Sequence, residues 1–160
     1  MIPAVNLVLF EPEIPQNTGN IARTCLALGA DLHLIEPLGF LISDRHLKRA
    51  GMDYWHQVAP QRHPSWEAFV KTLPPQSRLL LLSTRGQMRL DHLEPDIGRA
   101  PLFLVLGPES RGLPDSLLAR YPSSTVRLPM KDTARSLNLA VAAALALYQV
   151  QSLRGFPGLS

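Results

Sequence analysis

The segment Leu102–Leu106, reading L-F-L-V-L, constrains this chain most, because an unbroken apolar run ends there within one residue at Gly107-Pro108. A run of that length and kind suits a strand buried on both faces, the strand type of parallel sheets covered by helices. The next stretch, G-P-E-S-R-G-L-P over residues 107–114, reads as a sharp polar loop. Gly107 and Gly112 let the backbone turn or approach a ligand where a Cβ would collide, and Glu109 and Arg111 bring opposite charges. Strand-to-helix loops of this kind serve both as plain corners and as binding sites.

The rest of the chain repeats the strand-then-polar-loop pattern. Val5–Phe10 (V-N-L-V-L-F) predicts a first buried strand, after which Pro12 and Pro15 hold off a helix until Asn17. The helix then runs to about Leu28 and stops at Gly29, with Asn17 or Thr18 as its cap. Its free amides at the end of a strand make a natural place for an anion, with Arg23 one or two turns in; the plainer alternative is a capped helix and a solvated arginine. Asp31–Glu36 predicts a second strand and completes a β-α-β unit.

A basic helix around Ser43–Ala50 carries Arg45, His46, Lys48 and Arg49 and leads to Tyr54-Trp55, which read as packing residues more readily than as a base-stacking platform. Ser65–Thr72 predicts a short helix with Trp66 and Phe69 inward, and Arg78–Ser83 another buried strand ending in Thr84-Arg85-Gly86. Gln87–Ala100 reads as an irregular loop, Asp115–Tyr121 as a short helix and Thr125–Leu128 as a last short strand. The final helix, from about Ser136 or Leu137 to Leu153, is apolar on almost every side. Such a helix needs burial beyond its own sheet, against a second subunit or within the fold.

Strands alternating with helices imply an α/β fold with a mainly parallel sheet. The polar loops at 11–20, 83–86, 107–113 and 129–138 then gather at the carboxyl edge of the sheet, where ligands bind. At 160 residues the whole chain, 1–160, reads as one domain, and 46% hydrophobic against 18% charged residues marks it as globular. Its net charge of +3 comes from thirteen Arg and three Lys, a bias towards a phosphate-bearing partner such as RNA. The lone Cys25 excludes an internal disulfide framework, fits a reducing cytoplasm and reads as buried filler.

The five histidines lie apart with no ligand spacing, so no metal is indicated. No secretory start is evident, and no apolar run approaches the roughly 20 residues of a membrane helix. Gly107 and Gly112 share the glycine spacing of a P-loop, but Leu113-Pro114 stands where Lys-Ser/Thr is required.

Three segments together resemble the SPOUT class of RNA 2'-O-ribose methyltransferases: N-T-G-N-I-A-R (17–23), L-G-P-E-S-R-G-L-P (106–114), and L-P-M (128–130) followed by A-R-S-L-N-L (134–139). E-P-E-I-P-Q-N-T-G-N at the start and R-A-G-M-D-Y at 49–54 are similar to the TrmL branch, small tRNA methyltransferases acting on the wobble nucleotide, C34 or U34. The resemblance covers essentially the whole chain. It implies a parallel α/β sheet with a C-terminal deep trefoil knot, S-adenosylmethionine as cofactor, and homodimers in which both chains build the site.

Carried across by position, the cofactor would meet Leu82, Ser83, Gly107, Leu128, Met130, Ser136 and Leu137. Asn17, Arg23, Glu109, Ser136 and Asn138 match the family's catalytic positions, with the anticodon region of tRNA, leucine tRNAs in particular, as substrate. Arg23 is the family's candidate for activating the 2'-hydroxyl. A guanidinium titrates above about 12, so stabilising the alkoxide or gripping a phosphate suits it better than acting as a base. On charge alone, Arg45, Lys48, Arg49 and Arg135 are candidates for RNA contact. The alternatives are a methyltransferase of the same class for another tRNA position or for ribosomal RNA, and a catalytically silent RNA-binding dimer. The chain departs from the family at Ala140-Val141, where relatives commonly carry Ser and Asn; that removes polar groups at the start of the last helix.

Overall fold

The computed structural model describes residues 2–43, 45, 49 and 53–160. Its framework is a sheet of seven strands in the order β3-β2-β1-β6-β4-β7-β5, each pair parallel. The strands are β1 (Val5–Phe10), β2 (Ala30–Ile35), β3 (Gln61–His63), β4 (Arg78–Leu82), β5 (Met88–Arg89), β6 (Leu102–Leu106) and β7 (Thr125–Arg127). The helices are α1 (Pro15–Leu28), α2 (Trp55–Val58), α3 (Trp66–Val70), α4 (Asp115–Arg120) and α5 (Leu139–Leu153).

β6, the most apolar strand, lies between β1 and β4, with Leu7 opposite Leu104 on one side and Leu80 opposite Leu104 on the other. Its alternate side chains enter two cores. Leu102, Leu104 and Leu106 pack with β1, α1 and α5, while Phe103 and Val105 pack with Trp66, Phe69, Leu113 and Leu117. Burying each such side chain contributes about 1.5–3 kcal/mol, which is why an unbroken apolar run belongs at the centre of a three-layer fold.

Several expectations need correction. α1 begins at Pro15, with Ile14 at the capping position, so neither Asn17 nor Thr18 caps it; both are buried inside its first turns. Pro15 is no obstacle there, because a first-turn residue needs no intrahelical amide bond. The helix does stop at Gly29, which takes the left-handed conformation (φ 65°). The segment 87–100 is not a plain loop. It carries β5 and two 3-10 turns, and Leu90, Leu93 and Ile97 are buried in the larger core.

β3, polar in sequence, pairs with β2 at the edge and buries only His63. α5 starts at Leu139, later than expected, with the Asn138 carboxamide oxygen accepting from the amides of Ala140 and Val141. Backbone amides thus meet the cap where the polar pair of the resemblance is missing. The basic helix expected around 43–50 falls largely outside the described residues; Arg45 and Arg49 are helical and exposed, and Lys48 is outside. Trp55 packs in the core and Cys25 is fully buried, as expected, its thiol pushed up to about 12 by burial and by nearby Asp31.

The loops leaving β1, β4, β6 and β7 emerge at one edge, and two glycines show how tightly they pass each other. A Cβ on Gly86 would lie 2.2 Å from the Val126 carbonyl carbon, so the loop after β4 presses on the backbone of β7. Arg127 clamps that loop, donating to the carbonyls of Gly86 (2.7 Å) and Gln87 (2.9 Å). A Cβ on Gly107 would lie 2.2 Å from the Leu113 nitrogen, closing the loop after β6 on itself. This crowding is consistent with the knotted threading that the resemblance implies.

Candidate active site

Where these loops converge they enclose a cleft of about 540 Å³, within the range of small-molecule sites. Leu82 to Arg85 form one side after β4, and Leu106 to Leu113 a second after β6. Leu128, Met130 and Arg135 to Leu139 form the third after β7, and Ile14 and Asn17 of the α1 start complete it. Every residue expected at the cofactor, Leu82, Ser83, Gly107, Leu128, Met130, Ser136 and Leu137, lines this cleft. Apolar walls of Leu and Met beside loop backbone suit a flat heteroaromatic base that also needs edge hydrogen bonds. The fit of these residues to an adenosyl group rests on that combination.

Of the expected catalytic positions, Asn17, Glu109, Ser136 and Asn138 share the cleft. Glu109, Asn17 and Asn138 form a relay across three segments. Glu109 accepts from the amides of Glu13 (2.8 Å) and Ile14 (3.1 Å) and from the Asn17 carboxamide (3.3 Å). The Asn17 carboxamide oxygen in turn accepts from Asn138 at 3.1 Å. The start of α1 therefore already holds an anion, the carboxylate of Glu109, and is not vacant for a ligand. Glu109 is engaged as a cap for a helix distant in sequence, and the same contacts hold its own loop in place.

Arg23 is not in the cleft. It is exposed further along α1, with its guanidinium carbon 5.1 Å from the centre of the Tyr54 ring. Arg135 lines the cleft and has no ion-pair partner among the described residues, whereas Arg45 and Arg49 are exposed outside its lining.

Two arginines outside the expected catalytic, cofactor and RNA-contact sets also line the cleft, Arg85 and Arg111. Arg111 pairs with Glu11 (2.8 Å) and Glu13 (3.7 Å), and Arg85 pairs with Asp115. Ser110 also donates to Glu13, at 2.6 Å. The acidic pair flanking Pro12 and the Ser-Arg pair after Glu109 are complementary, and that complementarity was the available signal. Among the described residues no three His, Cys, Asp or Glu side chains converge as metal ligands, and no helix is long and apolar enough to cross a membrane.

The family model described as the SpoU rRNA Methylase family matches residues 4–148. The chain belongs to that family. It is 47% identical over 154 residues to a Saccharophagus degradans protein called tRNA (cytidine(34)-2'-O)-methyltransferase, spanning 96% of this chain and 97% of the relative. A solved structure described as giving insights into the 2-OH methylation of C/U34 on tRNA superposes with a TM-score of 0.85 at 49% identity, over 96% of this chain and 98% of the other. An rRNA methyltransferase from Sinorhizobium meliloti, solved with AdoMet bound, superposes with a TM-score of 0.79 at 26% identity, over 95% of this chain and 57% of that one. As a SpoU methylase the chain has the α/β methyltransferase fold that the three motifs implied, and the family uses S-adenosylmethionine.

Proposed function

We propose that this chain transfers a methyl group from S-adenosylmethionine to the ribose 2'-hydroxyl of the wobble nucleotide, C34 or U34, of tRNA, with leucine tRNAs as acceptors. The observation that carries the reading is the cleft itself. Its Leu and Met walls and its Asn17, Glu109, Ser136 and Asn138 cluster occupy one space at the carboxyl edge of the sheet. The relatives of high identity act, by name, on that nucleotide. A single domain, a cytoplasmic setting, contact with the anticodon region and a homodimer complete the proposal.

When bound, S-adenosylmethionine supplies an electrophilic methyl whose carbon–sulfur bond breaks, leaving its electron pair on sulfur, as the acceptor oxygen bonds to carbon. The protein's part is alignment, water exclusion and care of the hydroxyl proton. Leu82, Leu128, Met130 and Leu137 would hold the cofactor's base between apolar side chains, and backbone at Gly107 and around Ser83 would supply hydrogen bonds. The Glu109–Asn17–Asn138 relay ties the loops after β6 and β7 to the start of α1, so the acceptor meets a preorganised wall. Ser136 adds an exposed hydroxyl-bearing side chain to the lining. Arg23 supplies a fixed positive charge for the developing alkoxide or the adjoining phosphate, and the proton passes to solvent or to a phosphate oxygen. Because Arg23 lies outside the cleft of its own chain, a two-chain site is where it meets the acceptor. Val141, Leu145 and Tyr148, exposed apolar residues at helical spacing on α5, support that pairing.

The test is transfer of labelled methyl to total tRNA, with the product mapped by nuclease digestion and mass spectrometry. A 2'-O-methyl at nucleotide 34 of leucine tRNAs is the expected result. A mark on another nucleotide or on ribosomal RNA discards the wobble assignment, and cofactor binding without any transfer to RNA discards the enzymatic reading.

A further inference from the structure

Arg23 and Tyr54 sit on different elements, yet the structure stacks one on the other. The guanidinium carbon lies 5.1 Å from the ring centre, and the Tyr54 hydroxyl donates to the Gly19 carbonyl at 3.1 Å, one turn before Arg23 on α1. Tyr54 is itself fixed. Its carbonyl accepts from the amides of Gln57 (3.0 Å) and Val58 (3.1 Å), and the next residue, Trp55, is buried in the main core. The ring is thus anchored by backbone, by hydroxyl and by its neighbour.

The partner chosen for Arg23 matters. Among the described residues no carboxylate pairs with it. An ion pair would occupy the in-plane N–H groups that an oxyanion needs, whereas a ring covers the face of the guanidinium and leaves its edge donors available. A free arginine side chain samples many rotamers, and freezing it in advance spares that cost when the acceptor arrives.

We propose that Tyr54 is a positioning residue that holds the Arg23 guanidinium ready for the acceptor oxygen or its phosphate. The ring does the holding, and the hydroxyl serves to keep the ring on α1. This rests on the methyltransferase function proposed for the cleft. The charge that Arg23 meets at the acceptor oxygen develops only in the transition state, so loss of the arrangement falls on turnover more than on the affinity for either substrate.

The test compares the full-length protein with its Tyr54→Phe, Tyr54→Leu and Arg23→Ala variants in methyl transfer to tRNA, alongside nitrogen-resolved NMR of the arginine Nε–H groups. Tyr54→Phe keeps the ring, and its kcat stays within about twofold of the parent, whereas Tyr54→Leu loses about tenfold in kcat with KM for tRNA and Kd for S-adenosylmethionine nearly unchanged. The Arg23 Nε–H signal is shifted upfield by the ring in the parent and in Tyr54→Phe, and returns to the position of a solvated arginine in Tyr54→Leu.

Equal kcat for Tyr54→Leu and the parent, equal loss in Phe and Leu, or an unshifted Arg23 signal in the parent overturns the proposal and leaves the function standing. An Arg23→Ala variant at full rate removes the arginine from the mechanism and Tyr54 with it. Absence of transfer by the parent discards the function and the proposal together, and a shifted signal then marks the failure as one of function rather than of contact.

Discussion

Glu109 and Asn17 meet at 3.3 Å although 92 positions separate them in the chain. The contact ties the loop after β6 to the first turn of α1, where the same carboxylate also takes two backbone amides. A helix start with no cap of its own is thereby satisfied from across the sheet. Removing the carboxylate leaves those amides without a protein partner and frees the loop. Glu109→Ala is expected to lower unfolding free energy by roughly 2 kcal/mol and to weaken S-adenosylmethionine binding. Denaturant melts and calorimetric titration check both, and unchanged values in the two would remove Glu109 from the architecture of the cleft.

The two glycines of the same loop are not equivalent. A Cβ at Gly107 would fall 2.2 Å from the Leu113 nitrogen and 2.3 Å from the Gly112 carbonyl carbon, both backbone atoms that cannot step aside. Gly112 has open space around it and only a left-handed backbone, φ 68°. Gly112→Ala therefore costs about 1 kcal/mol, the ordinary penalty of that conformation, and leaves cofactor affinity near normal. Gly107→Ala must displace the loop and costs several-fold more stability together with cofactor binding. Thermal melts of the pair with and without S-adenosylmethionine decide it; equal effects at the two positions would contradict the steric account.

How much of the structure was legible beforehand depends on what each segment buries. Val5–Phe10, Arg78–Leu82 and Leu102–Leu106 announce themselves because they are largely covered on both faces and almost wholly apolar, with only Asn6 and Arg78 as exceptions. β3 and β5 do not, since an edge strand of Gln-Arg-His or Met-Arg is held by its neighbour's ladder and not by its own pattern. The buried turns around Leu90 and Ile97 hide for a similar reason, with single apolar residues among polar ones showing no period. In the site, the motif residues were readable as a set from resemblance. The physical role of Glu109 was not, because a cap supplied from a distant loop leaves no local signature at Ile14. Tyr54 over Arg23 is likewise a long-range pairing, although both residues stood in segments already singled out.

β1, β2 and β3 carry a buried polar chain with its own pH signature. Asn6 uses its carboxamide nitrogen on the carbonyls of Ala4 and Leu102, both at 3.3 Å, so its oxygen must accept from His33 Nε2 at 3.0 Å. Neutral His33 then presents Nδ1 as an acceptor, and His63 Nε2 donates to it at 3.0 Å. Burial first, and the neighbouring His63 second, lower His33 from 6.5 to about 4; burial lowers His63 as well.

The unfolded chain thus takes up protons below pH 6.5 that the folded chain refuses until about pH 4, so folding loses stability as pH falls through that window. The contribution of His33 is fully present above 6.5, and its loss by pH 4 amounts to about 3 kcal/mol. Melts from pH 8 downward are expected to stay level near neutrality and then decline, more gently for His33→Gln. A profile level to pH 4 would mean that the pair is not buried in solution.

The last helix carries the prediction on assembly. Its inward side, Ala143, Ala146, Leu147 and Val150, is fully covered, yet Val141, Leu145 and Tyr148 on another face are 48%, 50% and 58% exposed. Those three positions follow helical spacing, so they form one stripe rather than scattered surface apolars. The stripe begins three residues after Asn138 and continues the exposed edge of the cleft at Leu137, which places any partner that covers it beside the site. A second copy of this chain is the partner proposed. Leu145→Glu puts a charge in the middle of the stripe without touching a core residue, and it is expected to leave the melting temperature of the monomer fold within a few degrees while abolishing self-association. Sedimentation velocity reads the association state, and methyl transfer reads its consequence. A monomeric variant with undiminished transfer would show that one chain builds the whole site, and a variant that still dimerises would move the interface off α5.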